Sequence, residues 1–87
     1  MNRLLALGER FKAARKQRFP NDTLSMFALR LGVSRATLQK MEQGDMSVAM
    51  GTYYKAARLT GLDSQFDQLF TLKEDLFKAY YGEGSNK

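Results

Sequence analysis

The sequence predicts an all-α fold of five or six short helices, and three observations carry that prediction. Apolar residues recur at i, i+3 and i+4 through most of the chain, while strand-like alternation is almost absent. Only one proline, Pro20, interrupts the 87 residues. Small polar residues that open helices and glycines that close them follow in order: Thr23 with Gly32, Ser34 with Gly44, Ser47 with Gly61.

The first helix is expected over about Arg3 to Arg18, with Leu4, Leu7, Phe11 and Ala14 facing inward. Phe19-Pro20-Asn21-Asp22 ends it, because proline disfavours helical geometry in the residue before it. Thr23 caps a second helix, Leu24 to Leu31, with Leu24, Phe27, Ala28 and Leu31 on one stripe, and Gly32 supplies a tight exit. Ser34 caps a third helix, Arg35 to Gln43, whose inward positions are Leu38 and Met41, with Glu42 beside them. Ser47 caps a fourth, Val48 to Thr60, with an apolar face of Val48, Thr52, Tyr53, Ala56, Ala57 and Leu59. A short fifth helix is expected near Ser64 to Phe70, and Leu72, Leu76, Phe77 and Tyr80 call for one or two further helical turns.

A chain of this length holds one small core, with a stability of a few kcal/mol. Apolar residues make up 44% and charged residues 26%, which is globular composition. No apolar run approaches the roughly 20 residues that span a membrane, and the opening MNRLLALGER reaches a charge too early for a secretory signal. The expectation is a cytoplasmic protein. Without Cys there is no disulfide, thiolate nucleophile or Cys-type zinc site, and without His the commonest acid–base group near neutral pH is missing. The reading is therefore no enzyme, with no catalytic residues, no metal site and no cofactor.

Charge is unevenly divided. Residues 1–58 carry eleven Lys and Arg against Glu9, Asp22, Glu42 and Asp45, a net of +7, whereas residues 59–87 carry three Lys against five acids, a net of −2. A basic N-terminal two-thirds suits a polyanion partner, although a solvated basic surface accounts equally for charge alone.

The informative stretch is Leu24 to Gln43. Two helices crossing over a three- to four-residue turn need a small residue where they touch, a turn residue that tolerates left-handed geometry, and apolar residues filling the angle. Ala28, Gly32, and the set Phe27, Leu31, Val33, Leu38 and Met41 occupy those places. An ordinary helical hairpin does not need all of them in one register. The stretch is read as a helix-turn-helix.

These residues also resemble a known family. Leu7-Gly8-Glu9-Arg10-Phe11, Arg15, Thr23, Phe27-Ala28, Leu31-Gly32-Val33-Ser34, Thr37-Leu38, Glu42 and Gly44 look like the pattern of the Cro/repressor (XRE-type) helix-turn-helix regulators, over roughly residues 5 to 62. The resemblance implies a lambda-repressor-like domain that binds double-stranded DNA. It also implies that Arg15 and Glu42 form a buried structural ion pair between the first and third helices. Three features depart from the pattern. The link at Phe19 to Asp22 is about two residues longer, Leu24 stands where the family commonly has Gln, and Asp45 to Thr52 is closer to HipB-like antitoxin regulators.

On such a fold the third helix enters the major groove with its N-terminal end towards the base edges. The base-reading candidates are Ser34, Arg35, Ala36, Gln39 and Lys40. Arg35 comes first, because a guanidinium bonds O6 and N7 of guanine bidentately; Ala36 suits a thymine methyl. Each has a plainer reading as a solvent-exposed helix residue. Phosphate-binding candidates are Thr23, Thr37, Gln43, Ser47, Lys16 and Arg18, with the amides that open the second and fourth helices. Gly51 either permits close backbone approach or relieves packing.

One recognition helix reads few base pairs, so a homodimer on a palindromic operator is expected. Phe66, Leu69, Phe70, Leu72, Leu76, Phe77 and Tyr80 form the candidate dimer interface; the alternative is that they only fold back over the chain's own core. The organisation expected is residues 1–62 as the DNA-binding domain, 63–81 as a C-terminal helical dimerisation segment, and 82–87 as a disordered tail. A rival function is an antitoxin whose main partner is a toxin protein.

Overall fold

The computed structural model describes residues 3–72. Over these the chain folds into α1 (Leu5–Arg18), α2 (Leu24–Leu31), α3 (Arg35–Glu42) and α4 (Met50–Thr60), followed by a 3-10 turn at Asp63–Gln68. Among the described residues there is no strand, only an isolated antiparallel bridge between Arg3 and Asp45.

The core is the meeting point of α2, α3 and α4: Phe27, Ala28, Leu31, Leu38, Met41 and Ala56 are buried. Phe27 lies at its centre, with the Phe11 ring 6.1 Å and the Phe19 ring 5.6 Å away, both tilted. Those separations suit edge-on aromatic packing. Local chemistry sets the helix ends. Thr23 Oγ1 accepts from the Met26 amide at 3.1 Å, and Ser34 Oγ accepts from the Thr37 amide at 3.0 Å, so each hydroxyl satisfies an amide the helix leaves unpaired. Gly32 closes α2 at φ +81°, which returns the chain into α3 within two residues.

α1 departs from its expected face. The helix begins at Leu5, not Arg3, and Leu4 and Leu7 are 49% and 39% exposed. Gly8 and Arg15 are the buried positions, with Phe11 and Ala14 half-buried. The cause is backbone approach. A Cβ on Gly8 would lie 2.5 Å from both the Glu42 carbonyl oxygen and the Gly44 nitrogen. Gly44, at φ +72°, would set a Cβ 1.9 Å from the Leu4 carbonyl oxygen. The two glycines let α1 rest directly on the exit of α3, and the helix turns to bring Gly8, rather than Leu7, to that contact.

Arg15 is 4% exposed, and its Nε donates to Glu42 Oε2 across this same contact. Removing one partner strands a buried charge, at a cost of about 3–5 kcal/mol.

The longer link between α1 and α2 has its own closure. Arg30 Nε and Nη2 donate to the two oxygens of Asp22 at 2.6 and 3.2 Å, and the guanidinium carbon lies 4.4 Å from the centre of the Phe19 ring. Phe19 thus seats on Phe27 from one side and under Arg30 from the other. The hydrogen bonds from Arg30 hold the Asp22 carboxyl below the usual carboxylate range.

Two later elements differ from expectation. α4 starts at Met50, not Val48, and its N-cap is Ala49, not Ser47. Asp45 is the reason: its Oδ1 accepts from the Ser47 amide at 2.8 Å, and its carbonyl accepts from the Tyr53 hydroxyl at 2.8 Å. Residues 45–48 are drawn into a turn, and the helix begins after it. The expected helix Ser64 to Phe70 is a 3-10 turn ending at Gln68, with Leu69 extended and Phe70 at φ +64°. It has no buried residue, so nothing favours lengthening it into an α-helix. The further turns expected at Leu76, Phe77 and Tyr80 lie outside the described residues.

Two outcomes are expected. Gly8→Ala loses about 1–3 kcal/mol through overpacking, even though Ala in place of Gly favours a helix interior by about 1 kcal/mol. Urea denaturation gives the sign, and a variant as stable as the parent contradicts the close approach. Because the Asp22 carboxyl is held low in the folded state, its contribution is present above the unfolded carboxyl pKa of about 3.9 and fades as pH falls through the lower folded value. Thermal melts down an acid series should therefore show a shallower loss for Asp22→Asn than for the parent chain.

Candidate nucleic-acid interface

α3 has two faces. Leu38 and Met41 are buried in the core, and Glu42 is committed to Arg15. Arg35, Ala36, Gln39 and Lys40 are exposed, as is Gln43, which caps the C-terminus. With 3.6 residues per turn Ala36, Gln39, Lys40 and Gln43 share the arc opposite the core residues, while Arg35 projects from the first position of the helix, on the side nearer Glu42. The fold therefore brings Ala36, Gln39 and Lys40 together on one surface, with Arg35 exposed at the start of the same helix.

Ser34 is exposed at the start of α3, but its hydroxyl is in use. It accepts from the Thr37 amide and donates to Thr37 Oγ1 at 3.0 Å. Thr37, half-buried, is its partner. The capping duty of Ser34 competes with a base contact. Thr23 stands exposed at the N-terminus of α2, with the amides of the first turn beside it.

The loop from α3 to α4 follows directly. Asp45 is the acid of this surface. Its carboxyl is held low first by the Ser47 amide and hydroxyl, and further by the charges of Lys40 and Arg3. Tyr53 is pushed the other way, up, by burial and by the Asp45 charge. Ser47 is exposed in this turn, and α4 opens with Met50 and Gly51 exposed and without a side-chain cap. A Cβ on Gly51 would meet nothing within 4 Å. Packing does not call for glycine there, which removes one of its two readings.

The remaining expected residues are more scattered. Lys16 is exposed on α1. Arg18 lines a shallow groove with Ala14, Gln17, Thr60 and Leu62, which groups it with the end of α4 rather than with the exposed face of α3. Phe66 is half-buried and meets Tyr54 edge-on at 5.3 Å, while Leu69, Phe70 and Leu72 are exposed, Phe70 by 96%. Leu76, Phe77 and Tyr80 lie outside the described residues.

Two basic features went unread in the sequence. Lys55 and Arg58 line an open groove between α2 and α4 with Arg30, Leu31 and Leu59. Their i, i+3 spacing was the available signal, but it is common on solvated helices. Arg3 sits against Asp45, a pairing 42 residues apart that no local pattern announces.

Among the described residues no three His, Cys, Asp or Glu cluster to hold a metal, and no helix is long and apolar enough to cross a membrane. No curated protein and no solved structure gives a significant match to the chain. A family model described as helix-turn-helix matches residues 11–66, from the middle of α1 to the 3-10 turn, and so takes in the whole two-faced arrangement of α2 and α3. Its members are DNA-binding regulatory domains rather than enzymes. The chain belongs to the Cro/repressor (XRE-type) helix-turn-helix family and is a DNA-binding transcription regulator.

Proposed function

We propose that this chain is a sequence-specific repressor that binds a palindromic operator as a homodimer, with α3 as its recognition helix. The observation that carries the reading is the rigid display of Arg35, Ala36, Gln39 and Lys40. Their helix is locked to the core by Leu38 and Met41 and to α1 through Glu42. With the helix already ordered, meeting DNA costs only the freedom of the side chains themselves and no ordering of the backbone that carries them.

In this reading Arg35 pairs with guanine, Ala36 packs on a thymine methyl, and Gln39 and Lys40 read neighbouring edges. Ser34 positions the start of the helix and reaches DNA only if its bond to Thr37 is exchanged. Phosphates fall at Thr23, Thr37, Gln43 and Ser47 and at the amides of Met50 and Gly51, which open a helix and favour an anion. Lys16 and Arg18 belong to the outer basic surface. The acidic, aromatic C-terminal third joins two copies through Phe66, Leu69, Phe70 and Leu72, together with Leu76, Phe77 and Tyr80. Two helices about 34 Å apart then meet successive turns of DNA. The setting is the cytoplasm, on operator DNA, and the regulation is repression by occupancy.

Duplexes enriched from a random library by the full chain test this directly. Arg35→Ala should cost about 1–3 kcal/mol on the enriched site and relax preference at one base pair. Gly51→Ala should weaken all duplexes alike while stabilising the fold by up to about 1 kcal/mol. Enrichment of no sequence at moderate salt overturns the proposal. Light scattering of the full chain should give a dimer, and a monomer both free and on DNA removes the homodimer from it.

A further inference from the structure

The family match begins at residue 11, yet the backbone before it is fastened to the exit of α3. The Leu4 amide donates to the Gly44 carbonyl at 2.7 Å, Arg3 bridges Asp45 in antiparallel fashion, and Gly8 lies against the Glu42–Gly44 backbone. These contacts are made by main chain and glycine, so the position of residue 3 does not depend on its own side chain. Arg3 is exposed, and among the described residues its guanidinium forms no ion pair within 4.0 Å. Its charge nevertheless reaches Asp45, as does that of Lys40 on the exposed face of α3. The Arg3 and Lys40 main chains both bond or bridge to Asp45, just past the end of that helix.

Where that places Arg3 on DNA follows from size. A helix with its side chains is about 10–12 Å across, and the major groove is about 12 Å wide. A chain leaving the end of a helix seated in that groove passes beside a sugar–phosphate ridge, and here Gly44 and Asp45 are the residues that leave. Arg3, fastened to them through the main chain, is held at that same end of the helix.

We propose that Arg3 is a DNA-phosphate contact, supplied from outside the helix-turn-helix and clamped beside the exit of α3 by its main-chain bridge to Asp45. The proposal rests on the reading of α3 as the recognition helix. A phosphate at this point sees two cations and one acid, and the contact is indifferent to base sequence because no base edge is involved.

The test uses the full chain, a fluorescent duplex enriched by it from a random library, and the same duplex with its sequence scrambled, across a salt series. Arg3→Ala should weaken both duplexes several-fold and flatten the slope of log K against log salt by about 0.9, with an unchanged melting temperature. Arg3→Lys should restore the slope. Arg58→Ala, an equal charge loss on α4, should leave it unaltered. An Arg3→Ala slope equal to the parent's overturns the proposal while leaving the reading of α3 intact. Equal flattening by Arg58→Ala overturns it in favour of net charge, and altered preference between the duplexes overturns it in favour of base contact. A parent chain that enriches no duplex sinks the reading of α3 and this proposal together.

Discussion

Arg15 lies deep in α1 and Glu42 is the last residue of α3, and the ion pair between them fixes the angle at which α3 is presented. Both side chains are largely withdrawn from water, so their desolvation cancels much of their attraction. Breaking the pair is the costlier event, because removing either partner leaves the other buried and uncompensated. Rotating α3 about its axis would separate the partners and strand two charges. The same rotation would change the direction in which Ala36, Gln39 and Lys40 are presented. The exposed face is therefore only as well defined as the buried pair behind it.

That pair works because the backbones around it come so close. Gly8 and Gly44 leave no room for a Cβ between α1 and the α3 exit. The price is paid at the start of α1, where Leu4, Leu5 and Leu7 are left exposed among the described residues. Once α1 is turned to seat Gly8 and Arg15, Leu5 and Leu7 point away from that contact, and Leu4 lies before the helix begins. On the other side of the core, Phe19 and the Asp22–Arg30 pair close the long link between α1 and α2. Length in that loop is absorbed by an aromatic side chain rather than left as slack, so the helix-turn-helix is braced from two directions.

The Asp45 turn joins these arrangements to the surface. One residue takes the Ser47 amide, receives the Tyr53 hydroxyl on its carbonyl, and bridges Arg3. It delays α4 by two residues and leaves Met50 and Gly51 at an uncapped helix start. An acid on a basic face is electrostatically unfavourable for a polyanion. Here it shapes the loop and gathers Lys40 and Arg3 around itself.

Much of this was legible in the sequence by itself. The all-α class, the helix-turn-helix read from Leu24 to Gln43, its caps at Thr23 and Ser34, its turn at Gly32 and its inward residues are all set by neighbours within one or two turns, and only its last residue moves, to Glu42. Local spacing and local hydrogen bonds are what a sequence records directly. The same periodicity assigned Ala36, Gln39, Lys40 and Gln43 to the face opposite Leu38 and Met41, with Ser34 and Arg35 projecting from the helix start. Tertiary structure alone decided which face of α1 turns inward, where α4 begins and where Arg3 lies. The inward face of α1 depends on a missing Cβ at Gly8 meeting backbone more than thirty residues away, and hydrophobic patterning counts only the side chains that are present. The start of α4 depends on Asp45 reaching the Ser47 amide before Ser47 can act as a cap. Both outcomes are contests between partners, and spacing alone does not say which partner wins.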